Sequence, residues 1–188
     1  MNLRLNPLYK KLLMLSLVIG PIVWLVFTED GQRRSDLVLL YLFGHEELNL
    51  AIENLHGHMT EAEFRALFPD LEFTCDDGPN PFGNRLCTAE VGSFSGIPSR
   101  AFTLFLDGER LRAAKLNYRR AYHETLERQL SGRLGMRAGH DESGPDAVSW
   151  QVSDGLLLMP AARPEDDAEA ALMWLSAAAV QRRAGAGN

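Results

Sequence analysis

The chain reads as an α+β protein, in which an N-terminal single transmembrane helix is followed by an antiparallel-sheet domain with helices packed on one face. Three observations predict this. Apolar runs flank Asp107-Gly108 and Asp154-Gly155, the two-residue turn signal of an antiparallel hairpin. Helical spacing is confined to segments before, between and after these hairpins, so helices and strands are segregated. An uncharged apolar run, Leu12 to Phe27, precedes everything else.

That run reads Leu-Leu-Met-Leu-Ser-Leu-Val-Ile-Gly-Pro-Ile-Val-Trp-Leu-Val-Phe. At about 1.5 Å per residue it spans roughly 24 Å, a little under the ~30 Å of a bilayer core. Leu8 and Tyr9 add a half turn, and Lys10 and Lys11 reach the headgroups. Trp24 suits an interface, and Pro21 after Gly20 predicts a kink or a local opening of the helix. The run ends in Trp-Leu-Val-Phe-Thr-Glu-Asp, without the small-residue pattern of a signal-peptidase site, so it reads as an uncleaved anchor. Arg4, Lys10, Lys11 and the terminal amine lie before it; Arg33 and Arg34 lie after it. The bias favours an N-terminus in the cytoplasm. Arginine far outnumbers lysine and the tail is rich in alanine, a usage that suits a GC-rich bacterium. The expected location is therefore the inner membrane, single-pass, with the main domain periplasmic. Residues 1–34 read as cytoplasmic tip, anchor and flank, 35–182 as the domain, and 183–188 as a disordered tail.

The elements follow in order. Asp36 caps a helix from Leu37 through Phe43, which is apolar all round. After Gly44 it resumes from His45 to Leu55, with Leu48, Ile52 and Leu55 at helical spacing. Thr60-Glu-Ala-Glu63 is a capping box that opens a short helix through Phe64, Leu67 and Phe68. Leu71 to Cys75 and Arg85 to Val91 read as strands around a turn-rich loop from Asp76 to Asn84. Arg100 to Leu106 and Leu111 to Tyr118 form a hairpin. Ala121 to Leu134 is a helix with a Tyr122, Leu126, Leu130 stripe, ended by Gly135. A polar loop to Asp146 leads to a hairpin of Val148 to Val152 and Leu156 to Met159. Pro164 to about Arg182 reads as a last helix, with proline and acids in its first turn and arginines in its last.

Removing the anchor leaves about 155 residues, long enough for one domain with a real core. Net charge is −6, and no Lys/Arg block exists beyond the membrane flank, which argues against nucleic acid as a partner. No phosphate-binding glycine loop occurs, and no cofactor is implied. Gly92-Ser-Phe-Ser-Gly96 has the glycines of a nucleophile elbow but carries Phe94 where the serine belongs. His45-Glu46 and His123-Glu124 each begin a zinc-binding H-E-x-x-H pattern and fail it at Asn49 and Glu127. His56 and His58 are the alternative metal pair, against a plain polar turn with two exposed histidines. Arg112, Lys115, Arg119 and Arg120 form the densest basic group, either a solvated sheet edge or a contact for an acidic partner or lipid headgroup. Trp150 lies mid-strand, as core or as a binding anchor.

Cys75 and Cys87 are the only cysteines, and in an oxidising compartment they read as a disulfide. Met59-Thr60 at a helix start, the short helix, Cys75 with eleven residues before Cys87, and the alternating hairpin after them carry a resemblance. From about Gly57 to Tyr118, a third of the chain, this stretch resembles one helix-plus-sheet repeat of the secreted β-lactamase-inhibitor protein family. The BamE-type outer-membrane assembly lipoproteins share that layout. Phe82-Gly83 in the bracketed loop echoes the inhibitors. Their Asp-Tyr pair has no counterpart in Val91 to Ile97, and the lipidated cysteine of the lipoproteins is absent, so β-lactamase inhibition is not carried over. The resemblance implies a fold that binds other proteins with its sheet and loops and has no chemistry of its own.

The function expected is therefore a non-catalytic, membrane-anchored protein-binding module, an accessory subunit or assembly factor. Its partners are another envelope or inner-membrane protein and the lipid bilayer, which Leu12, Pro21, Trp24 and Phe27 would meet. Phe82, Phe94, Arg112, Arg119, Arg120 and Trp150 are the candidate partner-binding residues. A periplasmic metal-handling protein or hydrolase using His56 and His58, or an inhibitor of a secreted hydrolase, is the alternative.

Overall fold

The computed structural model describes residues 7–28, 31, 46–135 and 147–186. The chain forms two compact units, Met1–Phe43 and Gly44–Asn188. In the first, helix α1 (Pro7–Phe27) contains Pro21 within its span, and Thr28 closes it by donating its Oγ1–H to the Trp24 carbonyl at 2.6 Å. Its window Leu8–Leu25 has a mean hydropathy of 1.6 and no buried residues, so it is long and apolar enough to cross a membrane. The apolar segment 37–43 and the loop 136–146 lie outside the described residues.

The second unit is α+β, and its sheet has nine strands. They are β1 (Glu47–Leu48), β2 (Phe73–Asn80), β3 (Gly83–Glu90), β4 (Ser93–Phe94), β5 (Ile97–Asp107), β6 (Arg110–Tyr118), β7 (Ala147–Val152), β8 (Gly155–Pro160) and β9 (Ala171–Ser176). The path runs β1-β4-β5-β6-β9-β8-β7, and β3 pairs with both β2 and β5. The Asp107-Gly108 and Asp154-Gly155 hairpins form as read. Around the sheet stand α2 (Glu61–Leu67), α3 (His123–Leu134) and α4 (Ala177–Ala186). α2 begins with the expected capping box: Glu63 N–H donates to Thr60 Oγ1, and Thr60 N–H donates to the Glu63 carboxylate.

Four expectations are corrected. First, no helix covers residues 46–55. Glu47–Leu48 pairs in parallel with Ser93–Phe94, which makes the sheet mixed, and Ile52–Asn54 is a single 3-10 turn. Leu48, Leu50, Ile52 and Leu55 are all buried, but by a strand and a turn whose spacing imitates a helical stripe. Second, the last helix does not begin at Pro164. Asp166 Oδ1 accepts from the amides of Ala168 and Glu169, so the proline and acids build a turn. Ala171–Ser176 then enters the middle of the sheet between β6 and β8. Leu172 to Leu175 is apolar on both faces, so the run shows no polar alternation that separates it from a helix. Third, the bracketed loop is short: β2 runs on to Asn80 and β3 starts at Gly83. A Cβ at Gly83 would lie 2.1 Å from the Leu106 carbonyl oxygen, so β3 can begin there only without a side chain. Fourth, helices lie on both faces, because α4 packs opposite α2 and α3.

Pleat alternation explains the faces. Across the register Cys87–Leu104–Ala114–Trp174–Leu157–Trp150, every residue is buried in the main core. Phe64 of α2 and Leu126 and Leu130 of α3 close this side. Phe64 stacks on Phe102 at 5.5 Å between centroids.

Candidate functional site: a half-covered sheet face beside a charge-locked disulfide

The opposite face begins with the row Leu86–Phe105–Ala113–Leu175–Leu156. α4 lies over it, because Ala179 and Val180 join Phe82, Phe105, Ala113 and Leu175 in a second apolar cluster. Two polar contacts place the helix. Ser176 Oγ accepts from Ala179 N–H and so caps its start. Further along, Arg182 donates to Asp107 at 2.9 Å, and Arg112 approaches the same carboxylate at 3.4 Å. The Arg182 hydrogen bond, with help from Arg112, holds the Asp107 carboxyl below its ordinary range.

The next row on that face is Thr88–Thr103–Lys115–Met173–Leu158. Thr88 and Thr103 share a hydroxyl hydrogen bond of 3.1 Å, and Thr103 is buried; Thr88, Lys115, Met173 and Leu158 are half-buried. Beyond it, Ala101, Asn117 and Ala171 are half-buried too. Thus a strip across β3, β5, β6, β9 and β8 is left partly open beside α4. It is mixed in polarity and carries Lys115, with the exposed Glu90 of β3 opposite Ala101 at its margin.

On the core face of β3, between Leu86 and Thr88, the disulfide forms as read: Cys75 and Cys87 are bonded and directly opposed across the β2–β3 pair. Cys87 is fully buried and Cys75 half-buried. A charge network from α2 surrounds the bridge. Glu61 pairs with Arg85 at 2.8 Å and with Arg65 at 2.9 Å, and Arg85 reaches Asp77 at 2.6 Å. Arg65 also donates to the Phe73 carbonyl and contacts Cys75 Sγ, both at 3.2 Å. Glu61 is held below the ordinary carboxylate range by the Arg85 hydrogen bond first, with Arg65 adding to it. Among the described residues, Glu61, Cys75 and Cys87 are the only three metal-ligand types that converge, and the disulfide occupies both sulfurs.

The structure scatters the other candidates. His56 and His58 are exposed on the turn before α2, and neither joins a converging group of three ligand types. Phe94 and Trp150 are each 1 % exposed and face the core, so they cannot serve as surface anchors in this conformation. Phe82 lies under α4 against Phe105, with ring centroids 5.2 Å apart. The basic group is split. Arg112 belongs to the Asp107 network. Arg119 N–H donates to the Pro98 carbonyl, and Arg120 clasps the turn before β9 through Asp167 and the Glu165 carbonyl. Leu12, Trp24 and Phe27 remain exposed on α1. Met173 and Thr103 were missed, because Met173 reaches this face only once residues 171–176 are a strand. No periodicity in the sequence marks it, since Leu172, Met173, Trp174 and Leu175 are all apolar.

No protein-family model matches the chain, and no curated protein or solved structure matches it either.

Proposed function

We propose that the protein is a non-catalytic, membrane-anchored module that binds another envelope or inner-membrane protein, as an accessory subunit or assembly factor of a membrane complex. The observation that carries this reading is the sheet strip of Thr88, Thr103, Lys115, Met173 and Leu158, which α4 leaves partly open. Its small hydroxyls and few charges suit a protein surface, since charged groups are depleted at the centre of such contacts.

The anchor supports the membrane half. Large apolar side chains from Leu8 to Phe27 are exposed along α1. Leaving so many in water costs on the order of 20 kcal/mol, which lipid removes. Lys10 and Lys11 near the start of α1, ahead of its apolar run, favour an N-terminus in the cytoplasm and with it a periplasmic sheet domain. The resemblance to the inhibitor and BamE-type repeats points the same way, toward binding through the sheet.

The test is a mild-detergent pull-down of the tagged full chain from native membranes, read by mass spectrometry, beside the variant Lys115→Glu with Met173→Asp. Both positions are half-buried on the strip, so the variant keeps the main core. A stoichiometric membrane protein captured by the parent and lost with the variant is expected. A clean monomer, or a partner retained by the variant, would overturn the assignment of this face.

A further inference from the structure

One buried titratable pair is left without a role by the sheet face and the disulfide. Tyr118, at the end of β6, is fully buried, and its hydroxyl lies 2.7 Å from Nδ1 of His123, which is 2 % exposed. His123 opens α3 directly after the 3-10 turn Arg120–Tyr122. Its Nε2 is buried and has no hydrogen-bond partner among the described residues. The pair lies at a junction of three pieces. Tyr118 N–H donates to the Ala170 carbonyl, Asn117 to the Ala168 carbonyl, and Arg120 to Asp167 and the Glu165 carbonyl, so the 161–170 segment is laced to the end of β6.

We propose that His123 and Tyr118 form an acid-sensitive latch: neutral His123 holds the start of α3 and the 161–170 segment to the end of β6, and protonation of His123 releases both. A neutral imidazole has one donor and one acceptor: Tyr118 serves Nδ1, and only one uncharged polar atom, Nε2, is left unmet. An imidazolium has two N–H donors and a full charge, and the site offers one phenol oxygen and no partner for Nε2. A buried, half-satisfied cation is expensive, and at a helix N-terminus the dipole opposes it as well. The charged groups facing His123 are Glu124 and Glu127 of its own helix and Arg163 of the 161–170 segment. Glu127 stands one turn along, so an imidazolium that swings outward finds a carboxylate there. Tyr118 stays protonated throughout, because burial first and Glu127 second raise its value.

Burial is the main cause holding His123 below its ordinary value; Arg163 adds to it, and the two glutamates oppose it. The unfolded or opened chain therefore takes up the proton first. The latch is closed above the ordinary imidazole value and weakens as the pH falls through that value toward the folded one. The released segment runs directly into β9, which carries Met173, so acid would also loosen the edge of the half-covered face. The latch itself needs neither the membrane nor the partner proposed above.

The experiment is hydrogen–deuterium exchange of the full chain in mild detergent, from about pH 7.5 to about pH 5.5, corrected for intrinsic rates. Peptides covering 119–127 and 161–170 should lose protection on acidification, by up to about tenfold per pH unit for one proton, while 102–106 in β5 does not change. His123→Gln keeps a polar partner for Tyr118 without a titration and should remove the pH dependence. Unchanged protection in the parent, or the same loss in His123→Gln, would overturn the proposal. If that variant does not fold, imidazole C2-proton exchange in the parent decides. A His123 midpoint below the ordinary imidazole value, coincident with the loss of protection, supports the latch. A midpoint at that ordinary value, or one with no accompanying loss, refutes it.

Discussion

Replacing both cysteines, Cys75→Ala with Cys87→Ala, separates what the bridge does to the unfolded chain from what it does to the folded one. The two residues are 12 apart, and a loop of that size contributes roughly 3 kcal/mol by restricting the unfolded ensemble. Cys87 is fully buried, so deleting its sulfur adds about 1 kcal/mol of lost packing. Arg65 keeps Glu61 and the Phe73 carbonyl after Cys75 is gone, so its contact with the sulfur adds little. The sum is roughly 4 kcal/mol, or a fall in Tm of about 10 °C for a unit of this size. Thermal unfolding in detergent, followed by the fluorescence of buried Trp150 and Trp174, measures it. The reduced parent retains the Cys87 sulfur and should fall by about three quarters as much as the double variant. If the oxidised parent, the reduced parent and the variant melt within about 2 °C of one another, the entropic argument is wrong for this hairpin. In that case β2 is held by the Asp77–Arg85 and Arg65–Phe73 contacts and not by the crosslink.

Two further outcomes follow from the same geometry. Gly155 has φ +140°, and a Cβ there would lie 1.9 Å from the Leu175 carbonyl oxygen in the centre of the sheet. Gly155→Ala should therefore cost about 3 kcal/mol, against about 1 kcal/mol for Gly96→Ala, whose Cβ meets open space. Chemical denaturation of both variants checks this, and equal losses would refute the clash. Glu61 lies below the ordinary carboxylate range because of Arg85 and then Arg65, so its contribution is present above that range and lost as the pH falls through its folded value. In urea titrations between about pH 6 and about pH 3, Glu61→Gln should show a shallower loss of stability than the parent. Parallel curves would mean that the network contributes nothing to acid sensitivity.

The elements legible in the sequence are those whose signals are local. Asp107-Gly108 and Asp154-Gly155 announce their hairpins because the turn depends on the residues in it. Thr60 and Glu63 announce α2 because both halves of the capping box lie within four residues. The elements misread are those whose partners are distant. Leu48, Ile52 and Leu55 carry a helical spacing, yet the backbone at Leu48 is taken by Phe94 and Ser95. Ala171 to Ser176 sits among alanines that favour a helix, yet Ala114 and Leu157 stand on either side of Trp174.

The candidate site divides in the same way. Charge-free apolar length made α1 readable, and two cysteines in one hairpin made the bridge readable. The sequence could not say that Phe94 and Trp150 face inward, because inward is defined by which other strands close the sheet. Nor could it pair Arg112 and Arg182 with Asp107, or Tyr118 with His123 in a buried site. By itself, then, the sequence determined the long apolar N-terminal helix, the hairpin turns, the helix cap and the chemistry of the two cysteines, all set by neighbours along the chain. The tertiary structure alone decided the place of β9, the face that α4 leaves open and the burial of His123. Each of these depends on groups brought together across the sheet, and burial and desolvation exist only once those groups have met.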